Sequence, residues 1–142
     1  MKKEYKYTIL SILAIITFFC FFLKLENMKD KESEKYFSEF DVVLEGEIYN
    51  IKQGRSGGLE IYFLKINKSN YNIYNKKDSY GRYYLQIDDE KAEIYDGLSD
   101  DVVVGDIIKL DGNLKTLIVL DSLGEIKSIK KEFKLSNFLP KH

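Results

Sequence analysis

Residues 41–52 read DVVLEGEIYNIK, and this stretch decides the fold class of the chain. The apolar side chains recur at every second position, so that one face carries Val42, Leu44 and Ile48. A period of two is typical of a β-strand that is buried on one side. Gly46 lies in the middle of the run, where a bulge or a bend would allow the strand to curl.

The alternation continues beyond this strand. A Gly-rich turn at residues 53–58 leads to a second strand over residues 59–67, which predicts a long hairpin. Residues 88–101 are acidic and predict a loop or a short helical turn. Further strands are expected around Tyr71 and Ile73, over residues 82–88 and 102–110, and in a final hairpin over residues 116–129. Five or six strands without an amphipathic helix predict an all-β domain, closed into a small barrel that leaves no sheet edge exposed.

The order of these strands resembles the layout of an OB-fold. The resemblance rests on the first hairpin, on residues 104–109 (VGDIIK) and on the final hairpin. An apolar N-terminal run precedes the β-rich domain that contains residues 104–109. In this arrangement the chain resembles small single-anchor bacterial membrane proteins of unknown function. That resemblance implies one anchor and an OB-like domain. It brings no activity, so it assigns no role to any residue.

The apolar run extends from Tyr7 to Leu23 and contains no charged residue. As a helix it would rise about 26 Å, which is close to the ~30 Å thickness of a bilayer core. Lys6 and Lys24 flank it and can extend to the two interfaces. The sequence therefore predicts three regions, which are an N-terminal membrane anchor over residues 1–25, a charged stalk over residues 26–39 and a small β-barrel domain over residues 40–139.

Two alternatives to an uncleaved anchor remain open. A cleaved secretory signal would have a basic start and an apolar centre, but the residues after Leu23 offer no small-residue cleavage site. A lipoprotein signal would use Cys20, but Phe18 and Phe19 precede it. Lysines flank both sides of the run, so their number does not set the orientation. Because a short basic N-terminus usually stays in the cytoplasm, we expect a single-pass inner-membrane protein whose domain faces outside.

Several chemistries are disfavoured by composition. The only cysteine is Cys20 and the only histidine is His142, so zinc, haem and iron–sulfur sites lack their ligands. The acidic residues between 88 and 106 do not have the spacing of a calcium loop. Residues 54–58, GRSGG, match the Gly-x-Ser-x-Gly nucleophile motif, but a strand follows them where that motif needs a helix. We expect no metal, no cofactor and no enzymatic activity.

One segment of the domain interleaves cations with aromatic side chains. On a small barrel this combination is typical of single-strand nucleic-acid binding, by stacking together with phosphate contacts. The candidate binding residues are Lys76, Lys77, Arg82, Tyr71, Tyr74, Tyr83 and Tyr84. Against nucleic acid, residues 38–142 contain 15 basic and 18 acidic residues, and export would separate the domain from it. The alternative reading is that these tyrosines pack on strand faces.

The sequence thus supports three hypotheses of different class. The leading one is a membrane-tethered, non-enzymatic binding or structural module of the cell envelope, whose partner is an envelope protein or a glycan. The first alternative is an OB-like module that binds single-stranded nucleic acid or another anionic polymer. The second alternative is a hydrolase that uses a pair of carboxylates, since such pairs are distant in sequence and leave no motif.

Overall fold

The computed structural model describes residues 2–54 and 59–136 of the chain. One helix, α1, spans Lys2–Ser38. Eight strands follow it, and they are β1 Val43–Gln53, β2 Glu60–Ser69, β3 Ile73–Tyr74, β4 Leu85–Asp88, β5 Lys91–Asp96, β6 Ile107–Asp111, β7 Thr116–Leu120 and β8 Ile126–Lys130. The chain divides into two compact units, Met1–Glu32 and Ser33–His142.

The first unit consists of the N-terminal part of α1. Its large apolar side chains are exposed, as Phe18 at 72% and Phe21 at 65% illustrate. The helix is long and apolar enough to cross a membrane, and a signal sequence at the N-terminus would have the same properties. The prediction of a single apolar N-terminal helix is confirmed at this level.

The second unit is built on one antiparallel sheet with the strand order β3-β4-β5-β2-β1-β6-β7-β8. The prediction of an all-β domain is therefore confirmed. The prediction of a loop or a short helical turn over residues 88–101 is wrong, because this segment contains β5, which lies in the middle of one half of the sheet. Strand β5 alternates as the other strands do, since Ala92 and Ile94 are buried whereas Lys91 and Glu93 lie on the opposite side of the sheet.

One lysine of β8 shows that the sheet curls. Lys130 donates a hydrogen bond to Asp96 at the end of β5. Four strands separate β5 from β8, so in a flat sheet the two would lie about 24 Å apart. The curl begins in β1, whose pairing with β2 shifts register at Gly46 and again near Asn50.

The core lies on the inner side of this curled sheet, and the end of α1 contributes to it. Tyr36, Phe37 and Phe40 are each buried to more than 90%, and Ser33 accepts a hydrogen bond from the backbone N–H of Leu135 over 2.9 Å. The compact unit begins at Ser33, so part of the segment predicted as a stalk belongs to the domain core. The strands contribute the other buried side chains of this core, which include Leu44, Ile48, Tyr62, Leu64, Leu85, Ile94, Ile108, Leu110, Leu117 and Val119.

The OB-like barrel of five to six strands is not confirmed. The sheet has eight strands, and within the described residues β3 and β8 each pair with a single neighbour. Phe133, which follows β8, packs against Tyr84 and Phe37, with ring centroids 5.3 Å and 5.5 Å apart.

Candidate functional site

Three of the four tyrosines in the predicted binding set are buried. Tyr84 is 1% exposed, and its hydroxyl donates a hydrogen bond to Asp96 over 2.5 Å. Burial, followed by the nearby Asp96 carboxylate, raises the pKa of Tyr84 well above its ordinary value. Tyr74 and Tyr83 are 9% and 6% exposed. These rings pack within the domain, where they offer little surface for stacking against a ligand.

Arg82 is also buried, in an ion pair with Asp78. The guanidinium Nε lies 2.7 Å from the carboxylate, and both side chains are almost fully shielded from solvent. The same carboxylate accepts hydrogen bonds from the backbone N–H groups of Tyr80 and Arg82. Gly81 adopts a φ of 76°, which glycine reaches without strain. The pair therefore shapes the tight turn over residues 78–82.

Tyr71 and Lys76 contact the segment that leads from α1 into β1. The Tyr71 hydroxyl donates to the Asp41 carboxylate over 2.8 Å, and the Lys76 ammonium pairs with Glu39. The hydrogen bond from Lys76 lowers the pKa of the Glu39 carboxyl group. Lys76 also lies 5.9 Å from the centre of the Tyr36 ring. The seven predicted residues are thus spread over the core, one turn, this contact and, for Lys77 and Tyr83, the other side of the sheet, and their role in binding stays a prediction.

A different set of aromatic side chains lies on the outer side of the sheet. We call it the outer aromatic face, and it consists of Tyr49, Ile61, Phe63, Tyr83 and Tyr95. Strands β1, β2 and β5 are neighbours in the sheet and carry four of these residues, and Tyr83 precedes β4. Tyr49 is 46% exposed, and Phe63 is partly buried 6.2 Å from it. Ile61, Tyr83 and Tyr95 are 6% exposed or less, so the accessible ring surface of this face is limited to Tyr49 and the exposed part of Phe63.

Three lysines lie over these rings. The ammonium-to-centroid distances are 5.1 Å for Lys52 over Phe63, 5.9 Å for Lys91 over Tyr49 and 5.5 Å for Lys77 over Tyr83. Within residues 2–54 and 59–136, none of these ammonium groups lies within salt-bridge distance of a carboxylate. At exposed sites a cation over a ring contributes only about 0.5–1 kcal/mol, so each lysine can move to a ligand at low cost.

A chain of hydrogen bonds fixes the buried end of the face. The Tyr83 hydroxyl donates to that of Tyr95 over 3.1 Å, and Tyr95 donates to the Glu93 carboxylate over 2.5 Å. The two tyrosine rings meet edge to face, 4.5 Å between centroids. Burial and the bond to Glu93 raise the pKa of Tyr95. Glu93 is therefore engaged by a neutral donor, and the ring positions are set before any ligand arrives.

The buried carboxylates of the domain have structural partners. Asp96 accepts hydrogen bonds from Tyr84, Lys130 and the backbone N–H of Gly97. Asp106 accepts from Lys127 and from a backbone N–H in the loop before β6. In the described part of the chain, no group of three or more His, Cys, Asp or Glu side chains is placed to hold a metal ion. The arrangement gives the hydrolase hypothesis no specific support, and residues 55–58 of the Gly-x-Ser-x-Gly motif lie outside the described residues.

Comparison with known proteins found no matching family model, no similar curated protein and no similar solved structure. The function is therefore argued from the residues of this chain. Of the predicted binding set, only Lys77 and Tyr83 belong to the outer aromatic face or its lysines. Sequence reasoning missed Tyr49, Phe63 and Lys91, although one signal was present, since Tyr49 is an aromatic residue on the polar side of an alternating strand.

Proposed function

We propose that the chain is a membrane-tethered, non-enzymatic binding module of the cell envelope, and that its ligand or partner contacts the outer aromatic face. The observation that carries the proposal is the exposed Tyr49 ring beside the partly buried Phe63 ring, beneath two lysines that lack carboxylate partners among the described residues. Exposed aromatic side chains on a rigid scaffold are typical of binding surfaces. The apolar part of α1 supports the tether.

The OB-like interpretation is part of this proposal. A bulged first strand that pairs with both β2 and β6, in a sheet that curls until β8 contacts β5, supports it. In OB-folds, oligonucleotides and oligosaccharides bind on the face of the second and third strands. We propose that the outer aromatic face, which lies on β2 and its neighbour β5, corresponds to that surface.

Site-specific photocrosslinking in intact cells tests the proposal. A photoreactive amino acid replaces Tyr49 in the full-length chain, and in a control it replaces Asn113, which is exposed in the β6–β7 turn. We expect a discrete adduct from position 49 and none from position 113. Identical adduct patterns at both positions, or no adduct at either, would contradict the proposal.

The proposed placement of the domain outside the cytoplasm has its own test. Cys20 is the only cysteine, so Cys20→Ser with Ser122→Cys leaves one thiol, on an exposed turn of the domain. We expect a membrane-impermeant maleimide to label this thiol in intact spheroplasts. Labelling that requires lysis of the spheroplasts would show the opposite orientation.

A further inference from the structure

We infer that the outer side of β6, β7 and β8 is a second interaction surface, through which the domain packs against a second copy of the chain. We call this surface the outer aliphatic face, and it consists of Ile107, Ile118, Leu120, Ile126 and Ile129. It lies on the other half of the sheet from the outer aromatic face, so the inference does not rest on the proposed function.

The strand register places these five side chains next to one another. Ile107 lies opposite Leu120, and Leu120 lies opposite Ile126, so these three form one row across the strands. Ile118 and Ile129 lie opposite one another in the next row. Opposite residues of an antiparallel pair point to the same side of the sheet. Here this is the side away from the core, because the residues that alternate with them in β6 and β7 are buried.

Strand β7 has the sequence of a strand that is covered on both sides. Residues 117–120, LIVL, are four consecutive apolar residues, whereas a strand with one side in water alternates. On the neighbouring strand β8, Ile126 and Ile129 are 62% and 52% exposed. On the outer side of β1, Glu45 and Glu47 end the apolar surface. An apolar surface that continues over three strands and stops at charged residues is typical of an interaction site.

The charges at the two ends of β8 fit a second copy that lies antiparallel to the first. The turn before β8, residues 121–125, carries two acidic residues and no basic one, whereas residues 131–134 after it carry two lysines and one glutamate. Glu125 and Lys131 directly flank β8 and are exposed, and neither forms an ion pair within residues 2–54 and 59–136. In an antiparallel arrangement of two copies, Glu125 of each lies beside Lys131 of the other, so the two-fold symmetry makes this contact twice. A parallel arrangement would bring like charges together.

The size of the outer aliphatic face indicates a weak contact. The outer side of a curled sheet is convex, so two copies touch only along β7 and its two neighbours. Five partly exposed aliphatic side chains cover on the order of 300 Å², which is below the roughly 800 Å² per partner that a standard stable interface buries. The contact is therefore transient, and it is populated where copies of the chain are concentrated, as in a membrane.

Chemical cross-linking of the full-length chain in isolated membranes tests the inference. In a Cys20→Ser background, Ile118→Cys places the only thiol on the outer aliphatic face. Lys65→Cys is the matched control, because Lys65 is exposed on β2 in the other half of the sheet. A short bismaleimide should give a covalent dimer of the chain from position 118 and only background from position 65. Ile129→Cys is a second reporter, since Ile129 is 52% exposed and its replacement leaves the core intact.

Three substitutions in the Ile118→Cys chain test what holds the two copies together. Glu125→Lys replaces two attractive contacts with two repulsive ones and should lower the dimer yield about threefold. Addition of Lys131→Glu restores opposite charges and should restore the yield. Ile129→Ser removes exposed apolar surface from both copies and should lower the yield about tenfold.

Four results would overturn the inference. Equal dimer yields from positions 118 and 65 would show random collision in the membrane. No dimer from either position 118 or position 129 would show that the copies do not meet through this face. A Glu125→Lys and Lys131→Glu double variant that stays as weak as Glu125→Lys would refute the antiparallel arrangement. An adduct between position 118 and a different protein, in place of the dimer, would assign the face to that protein.

Discussion

Asp96 connects the two ends of the curled sheet through its hydrogen bonds to Tyr84 and Lys130. Asp96→Ala would leave the buried Tyr84 hydroxyl without its acceptor and the half-buried Lys130 ammonium with only the Gly97 carbonyl oxygen at 3.4 Å, so we expect a loss of about 3 kcal/mol in the free energy of unfolding. Urea unfolding followed by near-ultraviolet circular dichroism measures this. Asp100→Ala is the control, because Asp100 is exposed, and it should cost less than about 0.5 kcal/mol. Equal losses in the two variants would contradict the structural role of Asp96.

The buried tyrosines predict how stability depends on alkaline pH. Burial is the main cause that raises the pKa values of Tyr62, Tyr74, Tyr84 and Tyr95 in the folded domain. In the unfolded chain these hydroxyls lose their protons near pH 10, the ordinary tyrosine pKa, so the unfolded state then binds fewer protons than the folded state. Stability should be unaffected by these groups below about pH 10 and should fall above it.

The measurement is the urea midpoint of unfolding as a function of pH. Tyr84→Phe removes one of these hydroxyls, so the alkaline fall should become less steep in that variant. Phe40→Leu is the control, because it disturbs the same core without removing a hydroxyl, so it should lower the midpoint equally at every pH and leave the slope as it is. A midpoint that stays constant as the pH rises past about 10 would be inconsistent with buried, protonated tyrosines.

At the scale of elements, the β6–β7 turn fits closely against the chain that enters β1. A Cβ atom added at Gly112 would lie 2.7 Å from the Phe40 carbonyl oxygen and 2.8 Å from the Val42 nitrogen. Gly112→Ala must therefore displace backbone, and we expect it to cost about 2 kcal/mol. Gly124 in the β7–β8 turn has open space and a φ of 85°, so Gly124→Asn should cost less than about 1 kcal/mol. Thermal unfolding of both variants provides the comparison.

The elements also show where sequence patterns succeed. Strands β1, β2, β6, β7 and β8 were within reach of sequence analysis because their alternation is long or ends in a turn that contains glycine. Strand β5 was missed because its alternation lies inside an acidic stretch. Its hairpin with β4 is also tight and lacks glycine, with Asp89 taking the positive φ of 51°. A turn of this kind has no glycine or proline by which the sequence would predict it.

At the scale of the whole molecule, the candidate site depends on which strands become neighbours. Strands β2 and β5 are adjacent in space although β3 and β4 separate them in sequence. This adjacency brings Phe63 of β2 close to the Tyr95 cluster of β5. No spacing in the sequence encodes that contact. The predicted binding set from Tyr71 to Tyr84 relied on closeness in sequence. In the structure, Tyr74 and Tyr84 lie in the core, whereas Tyr83 lies on the outer side of the sheet.

The end of α1 provides the last prediction, which concerns where the domain begins. Phe37 packs against Tyr84 with ring centroids 5.2 Å apart, and Phe40 packs against Tyr74 at 5.9 Å. A fragment that starts at residue 33 keeps these contacts, so we expect it to unfold cooperatively. A fragment that starts at residue 41 loses Phe37 and Phe40 together with Tyr36.

Each of these aromatic side chains is worth about 3–5 kcal/mol when removed from a core, against a total stability of about 5–15 kcal/mol for an ordinary domain. The shorter fragment should therefore lack a cooperative transition and should bind a hydrophobic dye. Phe37→Ala in the longer fragment is the intermediate case and should lower its midpoint while the transition stays cooperative. If the two fragments unfold at the same urea concentration, the end of α1 does not belong to the core, and the domain begins at β1 instead.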